Sequence, residues 1–108
     1  MRAKEYYKKY GKRIESGDTH ATVEMVNEMM DELRGLLDSR HVSTDTGLLN
    51  VINEMNEKWN AICRKFKEPI LIPNAFRDNI YKQLGITPTA VARRIDATHA
   101  GGAVNIPQ

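Results

Sequence analysis

The feature that most constrains the fold of this chain is an apolar stripe with helical spacing in its central part. Six residues follow one another at spacings of 4, 3, 4, 3 and 4: Leu48, Ile52, Met55, Trp59, Ile62 and Phe66. This period is that of one face of an amphipathic α-helix. Threonine and aspartate at positions 44–46 can cap its start, and Pro69 lies beyond its end. The pattern therefore predicts a helix over residues 46–67.

A second stripe with a related period precedes the first. Its members are spaced 3, 4, 3 and 4 residues apart, and they are Val23, Val26, Met30, Leu33 and Leu37. Met29 and Leu36 widen this face, which suits a core shared by several helices better than a two-stranded coiled coil. The stripe predicts a helix over residues 19–39. The short polar link that follows predicts an antiparallel hairpin with the helix over 46–67.

The N-terminal residues carry a shorter stripe, which predicts a third helix for the bundle. At spacings of 4, 3 and 4 it contains Ala3, Tyr7, Tyr10 and Ile14. We expect this helix over residues 2–16, weakened by Gly11 and ended by the turn at 16–18. Tyr6 is expected at the edge of the stripe, with the lysines of this segment on the outer face. We favour packed tyrosines with lysines that are solvated or paired with acids of the second helix; the alternative is a nucleic-acid surface, in which aromatic rings stack on bases and lysines contact phosphates.

The C-terminal part predicts a smaller helical element. Residues 70–72 lie between two prolines, which bias them towards an extended conformation, and we expect them to cover one end of the bundle. A helix is predicted over 74–84, ended by Gly85, and a second over 88–98. Residues 100–108 have no regular pattern and are expected to form a tail. The apolar side of the first of these helices contains Phe76, Ile80, Tyr81 and Leu84.

Together these elements predict an all-α protein with one domain, because 108 residues is near the common single-domain size. Residues 1–68 form a three-helix, heptad-patterned bundle, and residues 69–99 form a two-helix element before the tail. No stretch approaches the ~18 apolar residues of a membrane span, and the N-terminus lacks the apolar core of a signal peptide. We therefore expect a cytoplasmic protein that does not enter a membrane. The single cysteine, Cys63, excludes an intramolecular disulfide.

The net charge of +2 conceals a strong segregation of charge along the chain. Residues 1–17 sum to +4, residues 18–57 to −7 and residues 58–108 to +5. Such asymmetry is typical of proteins that bind nucleic acid or an acidic partner, and it also arises when helices of opposite charge pack together. We favour the second interpretation, because the lysines of the first helix and the acids of the second recur with matching four-residue spacing.

Two pairs of carboxylates invite an enzyme interpretation: Glu28 with Asp31, and Glu54 with Glu57. All-helical nucleotide pyrophosphohydrolases hold magnesium with E-x-x-E and E-x-x-D motifs, in the opposite order along the chain. If the apolar stripes face the core, Glu28 and Glu57 point away from it. We therefore expect four solvated carboxylates and no metal site.

Two further groups of residues were considered as metal ligands or catalytic residues, and neither pattern favours that role. Asp38 with His41 and Asp96 with His99 have a spacing that serves di-iron bundles, but further inward carboxylates at the same level are missing from the sequence pattern. Cys63 flanks the apolar stripe and has no histidine with a reason to approach it. We expect no catalytic residue and no cofactor.

The segment over residues 77–95 resembles the helix-turn-helix of bacterial repressors and site-specific recombinases. The resemblance lies in Leu-Gly-Ile-Thr at 84–87, which is similar to the turn, and in the Arg93-Arg94 pair of the following segment. Tyr81 stands where that family has alanine or glycine. The resemblance implies a left-handed turn glycine at Gly85. It also implies core positions at Ile80, Leu84, Ile86, Val91 and Ile95, and DNA-facing positions at Thr87, Thr89, Ala90, Arg93 and Arg94.

These observations favour a non-enzymatic small helical binding protein that acts as a subunit or adaptor of a larger assembly. Its partner is expected to be another protein or a second copy of the chain. The alternative is a helix-turn-helix DNA-binding regulator, and a third is an all-helical metal-dependent hydrolase. The residues expected to contact a partner are Lys4, Lys8, Lys12, Glu24, Glu28 and Glu32.

Overall fold

The computed structural model describes residues 1–87, and within that range the protein is all-helical. The prediction of a three-helix bundle with a further helix after it is confirmed. The predicted helix over 88–98 and the tail over 100–108 lie outside the described residues. The four described helices are α1 (Ala3–Glu15), α2 (Thr19–Ser39), α3 (Asp45–Cys63) and α4 (Ala75–Leu84).

Side-chain caps explain where two of these helices begin. The carboxylate of Asp18 accepts a hydrogen bond from the backbone N–H of His20 at 3.0 Å, at the start of α2. At the start of α3, the Thr44 hydroxyl accepts one from the Gly47 N–H at 3.0 Å. Each bond satisfies a backbone donor that has no partner within the helix. Helix α4 ends at Gly85, whose φ of 68° is left-handed.

Helices α1, α2 and α3 pack together around one core, and α4 packs against α3. The contacts between α1 and α2 run in opposite order along the two helices, as expected for an antiparallel pair, because Tyr6 bonds to Glu32 and Tyr10 to Glu28. The α3–α4 contact is centred on Trp59, whose ring stacks on Phe76 with centroids 5.5 Å apart.

The proline-flanked segment, residues 69–73, is held over one end of this core. The indole N–H of Trp59 donates a hydrogen bond to the backbone carbonyl of Ile72 at 2.8 Å. Leu71 points into the core and is buried, whereas Ile70 and Ile72 on either side of it are exposed. The segment therefore has an inner face that closes the bundle and an outer face that is apolar.

The apolar stripe of α3 is confirmed, although the helix is shorter than predicted. Trp59 and four other members of the stripe are buried, and Leu48 is half-buried. The helix ends at Cys63 instead of residue 67, and a turn follows it. Phe66 still reaches the core because its ring packs edge-on against that of Tyr7, with centroids 5.0 Å apart.

The buried faces of α1 and α2 differ from the predicted ones by part of a turn. Val23, expected in the core, is 58% exposed, whereas Met25, which was not expected there, is fully buried; Met29 is buried as predicted. On α1, Tyr6 is 1% exposed and Tyr7 only half-buried, which reverses their expected roles. With these faces buried, the hydroxyls of Tyr6 and Tyr10 on α1 reach the carboxylates of Glu32 and Glu28 on α2. Apolar spacing alone does not take such hydrogen bonds into account.

Gly11 lies inside α1 and is buried there, without ending the helix. The Tyr7 ring lies across it, and a Cβ at Gly11 would come within 2.9 Å of two ring carbons. Real Cβ atoms do not make such close contacts, so the glycine provides the space in which Tyr7 turns towards Phe66. The cost of glycine in a helix, about 1 kcal/mol, is thus offset by packing.

Candidate functional site

The acidic residues of α2 that were expected to contact a partner are turned towards α1. Glu28 accepts hydrogen bonds from the Lys9 ammonium at 2.8 Å and from the Tyr10 hydroxyl. These bonds lower the pKa of Glu28, with Lys9 as the stronger cause and Tyr10 second. Glu28 is half-buried, so the expectation that it points away from the core is wrong.

Glu32 is the point at which three helices meet. Its carboxylate accepts hydrogen bonds from the Tyr6 hydroxyl at 2.7 Å, from the Met1 amine at 2.8 Å and from Lys58 of α3. Burial opposes the ionisation of Glu32, but the bonds from Lys58, Met1 and Tyr6 outweigh it and lower its pKa. Burial, together with the hydrogen bond to Glu32, raises the pKa of Tyr6. The tyrosine therefore remains a neutral donor and the glutamate an ionised acceptor.

Glu24, the third of these acids, pairs with Arg13 of α1 at 2.6 Å. The same guanidinium also bonds to Asp18, at 2.9 Å, which lowers the pKa of that carboxyl. Glu24, Glu28 and Glu32 are thus all paired with cations of the chain itself. The α1 cations that pair with Glu24 and Glu28 are Arg13 and Lys9, on the side of α1 that faces α2. They are not the three lysines that the sequence pattern had indicated.

Those three lysines, Lys4, Lys8 and Lys12, lie on the outer face of α1 and are exposed. Among residues 1–87, no carboxylate lies within 4 Å of their ammonium groups. The structure therefore brings together Glu24, Glu28 and Glu32 along the α1–α2 interface, but it separates them from these three lysines.

The other carboxylates considered for metal binding are dispersed. Asp31 is exposed and pairs with Arg34 at 3.3 Å, and Glu54 pairs with Arg40 at 2.7 Å. Glu57 is exposed. Within the described part of the chain, no group of three or more His, Cys, Asp or Glu side chains is placed to hold a metal ion. Asp31 and Glu54 thus form ion pairs on the surface of the bundle.

The environment of Cys63 opposes nucleophilic chemistry. The side chain is half-buried, and burial raises the pKa of its thiol. Because the thiolate is the reactive form of cysteine, this shift lowers its reactivity at neutral pH.

An apolar cavity of about 250 Å³ lies where α2, α3, α4 and the proline-flanked segment meet. Two of its lining residues, Ile70 and Ile72, are exposed, Ile72 to 71%. Local sequence patterns did not indicate this cavity, because it depends on the contact between the proline-flanked segment and Trp59. The one signal was the apolar run between the two prolines. The residues that line the cavity are Thr22, Val26, Trp59, Ile70, Leu71, Ile72, Ala75 and Phe76.

The positions that resemble a helix-turn-helix are described only as far as Thr87. Gly85 has the left-handed conformation that the resemblance implies, and Ile80 is buried. Leu84 is 36% exposed, against the expectation that it is a core residue, and Tyr81 is buried. Thr87 is exposed. The DNA-facing candidates Thr89, Ala90, Arg93 and Arg94 lie outside the described residues.

None of the helices described here is long and apolar enough to cross a bilayer. Compared with models of protein families, with curated proteins and with solved structures, the chain matches none of them. Functional inference therefore rests on the surfaces of the bundle.

Proposed function

We propose that this chain is a non-enzymatic binding protein that acts as a subunit or adaptor by holding a large apolar side chain of a protein partner in the cavity above Trp59. The observation that carries the proposal is the cavity itself, with exposed Ile70 and Ile72 beside it. Exposed apolar side chains that cluster around a concave surface are typical of protein-binding sites.

The volume and the lining of the cavity favour an apolar side chain. At about 250 Å³ it is larger than the cavity of about 150 Å³ that accommodates a benzene molecule. Its lining is almost entirely apolar, with Thr22 as the single polar side chain apart from the Trp59 indole, which suits an apolar side chain. A single aromatic or long aliphatic anchor matches this size, and such anchors dominate the binding energy of many protein interfaces.

The wall of the cavity is already ordered before any partner binds. Pro69 and Pro73 restrict the backbone of the segment, and the bond from Trp59 to the Ile72 carbonyl, at 2.8 Å, ties it to the core. A preformed wall lowers the entropic cost of binding, because little of it has to be ordered by the partner.

A peptide library with random sequences tests this proposal. We expect selection on the wild-type protein to enrich peptides with a shared aromatic or long aliphatic residue, and Ile72→Lys to weaken their binding at least about tenfold, since it places a charge beside the anchor. Leu84→Lys is the matched control, because Leu84 is also exposed but does not line the cavity. Equal binding to both variants, or enriched peptides without an apolar anchor, would contradict the proposal.

A second candidate function is DNA binding by the segment that resembles a helix-turn-helix. The left-handed Gly85 after α4 supports it, since the turn of that motif needs such a residue. If this function is correct, Arg93→Glu with Arg94→Glu abolishes the preference for one duplex sequence over others in gel-shift assays, while the circular dichroism spectrum is unchanged. A preference that survives the double reversal would exclude these arginines as the readers of sequence.

A further inference from the structure

We propose that the chain also binds the phosphate backbone of nucleic acid, through a basic face on the opposite side of α1 from α2. The basic face consists of five exposed lysines from two parts of the chain: Lys4, Lys8, Lys12, Lys65 and Lys67. This surface shares no residue with the cavity above Trp59, so the inference stands independently of the proposed protein partner.

The two parts of the basic face are joined by an aromatic contact. The ring of Tyr7, which lies between Lys4 and Lys8 along α1, packs against the ring of Phe66 at a centroid distance of 5.0 Å. Phe66 in turn lies between Lys65 and Lys67, in the turn that follows α3. The aromatic pair therefore brings the turn that carries Lys65 and Lys67 against α1 at Tyr7.

The lysines of α1 are regularly spaced along a rigid support. Four residues of α-helix rise about 6 Å, so the Cα atoms of Lys4, Lys8 and Lys12 span about 12 Å along the helix axis. Their long side chains can reach several phosphates of one strand from that support. No turn or flexible loop separates the three positions, because α1 runs unbroken through Gly11.

The ammonium groups of the basic face are available to an external anion. Within residues 1–87, none of the five forms an ion pair with a carboxylate. The two acids of α1 make local bonds: Glu5 accepts from the N–H of Arg2, just before the helix, at 2.9 Å, and Glu15 accepts from the Tyr7 hydroxyl at 3.4 Å. On the other side of α1, Glu28 and Glu24 of α2 are paired with Lys9 and Arg13.

The composition of the basic face favours nucleic acid over an acidic protein. Protein interfaces are depleted in lysine and have an apolar centre, whereas contacts with the phosphate backbone are made by lysine and arginine and require no apolar surface. On the basic face the aromatic residues are turned inward, since Phe66 is buried and Tyr7 half-buried. We therefore expect binding that depends on charge and not on base sequence.

The salt dependence of this binding follows from the number of phosphates contacted. If all five lysines engage, the slope of log K against log salt is about −4.5, which corresponds to about 500-fold weaker binding at 200 mM than at 50 mM salt. Removing the three lysines of α1 reduces the slope to about −2.

Fluorescence anisotropy with a labelled 20-base-pair duplex of arbitrary sequence tests the inference on the full chain. We expect Lys4→Gln, Lys8→Gln and Lys12→Gln together to weaken binding at least about tenfold at 100 mM salt. The matched control replaces Arg34, Arg40 and Lys82 by Gln, which removes the same charge elsewhere and is expected to change binding less than about threefold. Circular dichroism confirms that both variants are folded.

Two further experiments test whether duplex binding has another cause than the basic face. Labelled poly-glutamate replaces the duplex in one, and tighter binding of it than of the duplex would show that the basic face prefers an acidic protein, overturning the inference. Arg93→Gln with Arg94→Gln is the other. Loss of duplex binding in that variant, with full binding in the lysine variant, would place the contact in the C-terminal segment and also overturn it. Neither outcome affects the cavity above Trp59.

Discussion

The α1–α2 and α3–α4 interfaces of this bundle are built from different chemistry. Between α1 and α2, tyrosine hydroxyls and cations bond to Glu28 and Glu32. Between α3 and α4, Trp59 stacks on Phe76, and Ile80 is fully buried. The first interface depends on directional, charge-assisted bonds and the second on the area removed from water. Stability should therefore respond to apolar truncation at one interface and to charge and pH at the other.

The largest effect is expected at the apolar interface. Trp59→Ala removes a buried aromatic ring and its bond to the Ile72 carbonyl, and should lower the free energy of unfolding by about 3–5 kcal/mol in urea denaturation. Trp59→Phe keeps an aromatic ring against Phe76, so its free energy of unfolding should fall clearly less than that of Trp59→Ala. If the alanine variant unfolds at the same urea concentration as the wild type, α4 and the proline-flanked segment contribute little to the core.

A smaller effect is expected at the polar interface. Glu32→Gln removes the charge that accepts bonds from Tyr6 and Lys58, and hydrogen bonds to charged groups contribute about 1.5–3 kcal/mol. We expect a loss of that order in the same denaturation experiment. Asp31→Asn is the control, because Asp31 is the neighbouring acid and its side chain is 80% exposed. Equal stability of the two variants would mean that Glu32 does not join the three helices.

Acid should weaken the polar interface selectively. The pKa values of Glu28 and Glu32 are lowered below their ordinary value of 4.5 by their hydrogen-bond donors, so their contribution is complete above about pH 4.5 and is lost as the pH falls through the lower folded values. The melting temperature should fall between pH 5 and pH 3, and should fall less in Glu32→Gln. Identical pH profiles for the two proteins would contradict this assignment.

The smallest effect on stability is expected from the outer face of α1. Replacing Lys4, Lys8 and Lys12 by Gln should leave the melting temperature within about 2 °C of the wild type, because exposed charges without a partner contribute little. Thermal unfolding monitored by circular dichroism measures this shift. A clear loss of stability would show that these lysines support the fold. The distinction between them and the cations that pair with α2, Lys9 and Arg13, would then be wrong.

Much of the helical architecture could be predicted because it is encoded locally. The predicted bounds of the second helix, 19–39, agree with Thr19–Ser39, since capping residues and a turn lie at its ends. The α3 stripe was identified correctly because its apolar positions leave one choice of face. The end of α3 was misplaced, because the turn after Cys63 still returns Phe66 to the core.

The face of α2 could not be chosen by apolar spacing alone. Met29, Met30 and Leu33 are buried as predicted, but at the start of the helix the chain buries Met25 and exposes Val23. A signal for this choice was present in the sequence. Tyr6 and Tyr10 are four residues apart, as are Glu28 and Glu32, so antiparallel helices can join both pairs.

The cavity above Trp59 depends on contacts that local patterns do not encode. Its walls come from α2, α3, α4 and the proline-flanked segment, so its shape appears only when distant parts of the chain are assembled. The lysines of α1 were recognised as exposed. Their separation from the acids of α2 depended on the register that spacing had misassigned.

The position of Trp59 makes it an intrinsic fluorescent reporter of the apolar cavity. It is the only tryptophan in the chain, it lines the apolar cavity, and its indole N–H is bonded to the segment that forms the wall. The emission of an indole depends on the polarity around it and on the bond that its N–H makes. A molecule that enters the cavity therefore changes the intrinsic fluorescence at its point of entry, without any attached dye.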